Sequence, residues 1–234
     1  MEHHSFIYAN YIPGLNRLPQ HVGNAVLVFF VLFVIFFMGY RKLKKKGNDV
    51  VPDKRLTALN FMELLVEASV MLVEENMGKV GRTLLYFLGP LIIFILFNNL
   101  SGLVPGFEPS TSNLNTTLAM ALTVFFLYQI YGFKAHGIKY LKQFMGPILW
   151  LAPLMTPIEI IGHLARPMTL SLRLFGNMMG DHILLGIVLL LIPLLVPLPV
   201  MFLGIFVSIV QTLVFVLLAV AYFSQAMEEE VELD

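Results

Sequence analysis

Cysteine is absent and charge is scarce. Without cysteine there is no disulfide frame, no thiol nucleophile, no iron–sulfur cluster and no Cys-based zinc site. Charged residues make up 13% of the chain, where a soluble domain carries about 25%, so an ordinary soluble domain is excluded. Fifteen Lys and Arg balance fifteen Asp and Glu. A zero net charge gives nucleic acid no electrostatic footprint. No Gly-rich loop ending in Lys is present to cradle nucleotide phosphates. His136 has no second ligand at a metal spacing, and neither metal nor cofactor is expected. What remains is apolar: 58% of the 234 residues are hydrophobic, with a mean hydropathy of +0.81.

A membrane-crossing helix needs about 20 mostly apolar residues. Uncharged runs cover 22–40, 83–107, 109–133 and 183–227. The last is too long for one crossing, and Pro193, Pro197 and Pro199 break it, since proline lacks the N–H and clashes with the preceding turn. The expectation is an all-α membrane protein, one multi-pass domain over 1–234, with about five crossing helices. These are 22–40, a hairpin of 83–107 and 114–133, and a second hairpin of 157–192 and 200–227. The last two are too long to cross upright and should be tilted.

Basic residues set the orientation. Arg41, Lys42, Lys44, Lys45, Lys46, Lys54 and Arg55 cluster after the first span, and Lys134, Lys139 and Lys142 follow the third, whereas 105–113 and 193–199 carry none. This places the N-terminus outside and the C-terminus in the cytoplasm. Parity then keeps 56–78 on the inside. Its Asn60, Glu63, Glu67 and Glu74 share a face, so it reads as an amphipathic helix on the cytoplasmic surface. Its low basic content favours contact with another protein over anionic lipid. The acidic run 228–232 reads as a solvated tail. No signal-peptide pattern precedes the first span.

The segment 157–192 carries Glu159, His163, Arg166, Arg173, Asn177, Asp181 and His182. At about 100° per residue, with Arg173 at zero, Arg166 lies at roughly 20°, Glu159 and Asn177 at roughly 40°, and His163 and Asp181 at roughly 80°. Gly162, Thr169, Gly176 and Gly180 lie at roughly −20° to −60°. Small residues there admit another helix at close range. His182 points nearly opposite Arg173. No carboxylate stands three or four residues from Arg173, whose neighbours there are Thr169, Leu170, Gly176 and Asn177. A mid-membrane arginine costs about 2.5–3.5 kcal/mol on insertion scales. It cannot deprotonate, so it holds an anion or repels cations rather than carrying protons. Two partners are open: Asp181 or Glu108 in the same chain, or a carboxylate on another subunit. Glu159 and His163 form an i,i+4 pair that serves either structure or proton access. Asp181 and His182 suit a proton relay. Gly204, Ser208 and Gln211 make an i, i+4, i+7 stripe on the last helix.

Three stretches carry a family resemblance: Asn113-Leu114-Asn115-Thr116-Thr117-Leu118-Ala119-Met120-Ala121-Leu122, then Arg166-Pro167 through Asn177 with Ser171-Leu172-Arg173-Leu174-Phe175-Gly176-Asn177 at its centre, and Gln211. The chain resembles subunit a of F-type ATP synthases, the membrane stator beside the rotating c-ring. The resemblance implies that Arg173 faces the c-ring carboxylate, with Asn177 and Gln211 as polar neighbours. It also implies Glu159 as a cytoplasmic-side acid, Thr169 as a small hydroxyl position and His182 as a titratable group on the outer path. Where some relatives carry a second titratable residue, this chain has Gly204, and Asp181 beside His182 is the local substitute. The implied partners are the c-ring, the peripheral-stalk subunit b, the F1 sector indirectly and lipid. The implied location is a bacterial plasma membrane before a thylakoid. A stand-alone ion-coupled secondary transporter is the alternative, though no internal repeat supports it. The coupling ion and ring size are set by the partner and are not encoded here.

Overall fold

The computed structural model describes residues 18–46, 57–104, 107–140, 152–191 and 197–227. Parts of the basic run 41–55, Lys142, residues 192–196 of the Pro-rich turn and the acidic run 228–232 lie outside the described residues. Among the described residues there are five α-helices, two short 3-10 turns and no strand. All five helices contain a stretch long and apolar enough to cross a membrane. The all-α multi-span architecture follows from the composition: where water is absent, a helix satisfies its own backbone donors and acceptors.

Helix α1 (Gln20–Lys46) begins directly after Pro19, whose carbonyl accepts from the Val22 and Gly23 amides. It packs on α2 (Ala58–Ser101) through Val28, Leu32 and Ile93, flanked by Phe36, Leu65 and Phe94. Asn24, buried near the start of α1, donates to the Glu108 carbonyl at 2.7 Å and ties α1 to a distant loop.

Helix α2 has two arms. Thr57 caps the first, its hydroxyl accepting from the Asn60 amide. At Gly78 the backbone leaves the helix, with φ 57° and ψ −142°, a region that only glycine enters readily. The chain reverses there. Phe61 of the first arm meets Phe97 of the second edge-on, with centroids 6.2 Å apart. Arg82 donates to Glu74 at 2.6 Å across the bend. A Cβ on Gly81 would sit 2.9 Å from Val73 Cγ1, so the arms touch closely beside the turn. The segment expected to be amphipathic is thus helical over 58–77 and lies along the adjoining span. Its Leu59, Ser69 and Val73 are buried, and Glu63, Glu67 and Glu75 are exposed. The second arm ends at Ser101, short of the uncharged run's end at 107, because the Gly102 amide closes it onto the Asn99 and Leu100 carbonyls.

A 3-10 turn at Ser110–Ser112 leads into α3 (Leu114–His136). Asn113 caps α3, accepting from the Asn115 amide at 3.0 Å. Helix α4 (Ala152–Leu191) has 40 residues and is about 60 Å long, twice the hydrocarbon thickness of about 30 Å. Helix α5 (Pro197–Met227) starts earlier than the expected 200. Pro197 and Pro199 sit in its first turn, where the missing N–H has no intrahelical partner to lose.

The second arm of α2, α3, α4 and α5 enclose one core. Leu84, Leu88 and Ile95 meet Val124 and Tyr128, Leu170 and Leu174, and Phe215, Val216 and Phe223 there. Helix α4 contributes least: 17% of its most apolar window is buried inside the chain, against 44% for α5. Most of α4 therefore faces outward.

Gly78→Ala should destabilise the fold by about 1–3 kcal/mol, since an L side chain is strained at that φ/ψ. Gly89→Ala should be near neutral, because a Cβ there meets nothing within 4 Å. The thermal midpoint of the purified protein in detergent, compared for the two variants, measures the difference.

Candidate functional site

Arg173 lies near the middle of α4, on the border between its buried and exposed faces. The buried face runs through His163, Pro167, Leu170, Ser171, Leu174, Met178 and Leu185, while Arg173 itself is exposed. Among the described residues, no carboxylate lies within ion-pairing distance of Arg173; the pairs found are Arg82–Glu74 and His163–Glu159. Neither intrachain candidate reaches it. Asp181 Oδ2 is buried without a hydrogen-bond partner, and the Glu108 carboxylate is 3.5 Å from Ser112 Oγ.

The glycine flank beside Arg173 is open. At Gly162, Gly176 and Gly180 a Cβ would meet nothing within 4 Å. Among the described residues nothing packs on these glycines, and they leave a track flanked by exposed Leu172, Met168 and Met179. Thr169 lies on the same exposed side, its hydroxyl donating to the Arg166 carbonyl at 3.0 Å. On the other flank, Asn177 donates to Gln211 Oε1 at 2.5 Å and joins α4 to α5. The Gly204, Ser208 and Gln211 stripe is buried, so the polar side of α5 is turned into the protein.

Polar clusters lie on both sides of Arg173. His163 is about 15 Å before it along α4, and Asp181 about 12 Å after it. At the first, His163 is 3% exposed. Its Nδ1 is 3.3 Å from Tyr128 Oη and 3.5 Å from Gln129 Nε2. Its Nε2 is 3.4 Å from Glu159. Tyr140 donates to Gln129 Oε1 at 2.6 Å. Burial pushes the Tyr140 hydroxyl above its ordinary pKa, with Arg166 opposing. The Arg166 guanidinium lies over the Tyr222 ring at 5.2 Å, a favourable place for a cation.

At the second cluster, Asp181, His182, Asn99 and Ser208 line a small cavity of about 20 Å³, room for one water molecule. His182 points away from Arg173 and still lines the same cavity as Asp181. Asn99 Nδ2 donates to Thr212 Oγ1 at 3.1 Å, and Ser110 donates to Asn98 Oδ1 at 2.5 Å. Asn99 Oδ1, Thr111 Oγ1, Asp181 Oδ2, His182 Nδ1 and Gln211 Nε2 are buried and find no partner among the described residues. Buried polar atoms without protein partners ordinarily bond to water. Beside Gly204 the room is taken: a Cβ there would meet Leu103 Cδ2 at 2.6 Å.

The sequence alone did not reveal Tyr128, Gln129 and Tyr140, nor Asn98, Asn99, Ser110, Thr111 and Thr212. Counting only formal charges treats all of these as neutral filler in apolar runs. The adjacent Asn98-Asn99 pair was the available signal, because two amides in a spanning helix must find partners.

The sequence profile of the family described as ATP synthase A chain matches residues 24–224. ATP synthase subunit a of Geobacter sulfurreducens is 53% identical over 214 residues, covering 90% of this chain and 92% of that protein. ATP synthase subunit a of Trichlorobacter lovleyi is 48% identical over 219 residues, covering 92% of each. ATP synthase subunit a 2 of Syntrophotalea carbinolica is 51% identical over 210 residues, covering 90% and 86%.

Thr212→Val keeps the shape but removes the acceptor for the Asn99 side-chain Nδ2, leaving the side-chain amide without a partner among the described residues. The expected cost is about 1–3 kcal/mol. Thermal unfolding of the purified protein should show a lowered midpoint for Thr212→Val and little change for Thr212→Ser.

Proposed function

Because the chain belongs to the ATP synthase A chain family, we propose that it is the proton-conducting stator subunit of the synthase's membrane sector. It forms two offset half-channels that load and unload the carboxylates of a rotating c-ring. The observation that carries this is Arg173: an exposed guanidinium on an outward-facing helix, bordered by an open glycine track, with no anion of its own chain among the described residues. An unpaired charge at membrane depth is stable only if something anionic meets it. A carboxylate on a neighbouring helix, seated on the Gly162, Gly176 and Gly180 track, meets that need.

The polar clusters serve as the half-channels. Asp181 and His182, with Asn99 and Ser208, conduct protons on the outer side. Both can titrate, and the group that Gly204 lacks is supplied by Asp181, since Leu103 fills the space beside Gly204. Glu159 and His163 conduct on the cytoplasmic side. Asn177 and Gln211 steady the ground around the arginine, and Thr169 lines the ring-facing side. Arg173 blocks a proton from passing directly between the two clusters, because a fixed positive charge repels it. A ring carboxylate that has released its proton is drawn to Arg173 and past it, and the next site reloads from the other side. Each elementary charge crossing 100 mV yields about 2.3 kcal/mol, so several are needed per ATP. No nucleotide chemistry occurs in this chain. It assembles with the c-ring and the peripheral-stalk subunit b in a bacterial plasma membrane, N-terminus outside and C-terminus in the cytoplasm.

Arg173→Ala should abolish ATP-driven proton pumping into inverted membrane vesicles while ATP hydrolysis persists; normal pumping would overturn the proposal. Arg173→Lys keeps a positive charge but loses the planar fork and neutralises readily when desolvated. ATP synthesis driven by an imposed proton gradient should fall severely in this variant. Normal synthesis would mean that any cation suffices at this position.

A further inference from the structure

A cavity of about 790 Å³ opens between α1 and the two arms of α2, lined by none of the polar-cluster residues. Its walls are bulky and apolar, with Phe29, Phe33 and Phe36 from α1, Val66 from the first arm, and Tyr86 and Phe94 from the second. Gly89 lies on the floor, where a Cβ would meet nothing within 4 Å. This wall differs in kind from the glycine track on α4. Helices dock in membranes where small residues let backbones approach. A deep space between aromatic rings suits a flexible hydrocarbon chain, which fills irregular volume by rotating its bonds.

One end of the groove is marked by charge. Phe33 stacks on Phe37 at 6.1 Å, and the Arg41 guanidinium lies over Phe37 at 5.3 Å. A ladder of rings thus leads from the cavity wall to a cation. Lys42 and Lys44 stand exposed next to it, and no carboxylate pairs with any of the three among the described residues. On the facing arm, Glu74 is already held by Arg82. Cationic clusters at the end of a spanning helix attract anionic head groups.

We propose that this groove is a binding site for one anionic phospholipid, with an acyl chain against Gly89 and the Phe29–Phe33–Phe36 wall and its phosphate on Arg41, Lys42 and Lys44. The bound lipid replaces missing protein packing between α1 and the α2 hairpin. This proposal does not rest on the proton path, and its test reads lipid rather than pumping.

The assembled complex is purified from its own membrane in mild detergent, washed, and its retained phospholipid quantified by mass spectrometry and phosphorus assay. The native complex should keep anionic phospholipid through the wash. Gly89→Trp, which fills the cavity, should lose one phospholipid per complex. A combined Arg41→Glu, Lys42→Glu and Lys44→Glu variant, which leaves the cavity open, should lose the preference for anionic over zwitterionic lipid. A photo-reactive amino acid replacing Phe33 should crosslink to phospholipid. Unchanged retention and head-group preference in both variants would overturn the proposal. So would a Phe33-position crosslink to another polypeptide, which would make the groove a protein docking site.

Discussion

A guanidinium exposed near the middle of an apolar helix long enough to cross a membrane is the constraint on which the rest of this structure turns. Arg173 needs an anion, and the described residues hold none beside it: Asp181 lies about two turns further along α4 and Glu108 stays with the Ser112 loop. Helix α4 is accordingly built as a boundary. One face is packed into the core by Leu170, Leu174 and Met178, and the other is left bare. Its low internal burial and its open glycines describe the same face, which the described residues leave uncovered.

The polar clusters on either side of the arginine are built differently. The His163 cluster is knitted across helices: Tyr128, Gln129 and Tyr140 join α3 and its following turn to α4, while Glu159 approaches from α4 itself. Tyr128, Gln129 and Tyr140 supply its polar contacts from outside α4. The Asp181–His182 cluster holds several buried atoms that the protein leaves unbonded, and it surrounds a water-sized space. One cluster is bonded across helices and the other encloses a space the size of one water molecule. The Asn177–Gln211 bond closes the gap between α4 and α5 at the level between them. Beside Gly204 on α5 the space is taken by Leu103, from the turn that follows α2.

The α2 hairpin shows a limit of reading faces from periodicity. The acidic spacing of Glu63, Glu67 and Glu74 reports that one side of 58–77 is polar. It does not report what the apolar side meets. A single glycine at φ 57° folds that side onto the adjoining span, with Phe61 on Phe97. A positive φ leaves no mark in a hydrophobic pattern, so the reversal belonged to the backbone and not to composition. Tyr140 is similar. It sits in a connecting segment after α3, yet it is buried against Gly132, where a Cβ would lie 2.6 Å from its ring. The glycine is what makes room, and the pairing across eight residues follows no helical rule.

By itself the sequence determined that this chain is an all-helical membrane protein, where its apolar stretches lie, and that Arg173 shares a stripe with Asn177 and a flank with Gly162, Gly176 and Gly180. Hydrophobic length, proline chemistry and the helical repeat are local properties, so they can be read from neighbours in the chain. Only the tertiary structure decided which flank stays open, that Asn177 bonds Gln211, that His182 joins Asp181 at one cavity, and that Asn99 and Tyr128 belong to the polar clusters. Those relations cross between helices far apart in sequence, and they are fixed by which surfaces the packing buries, a condition that no single segment contains.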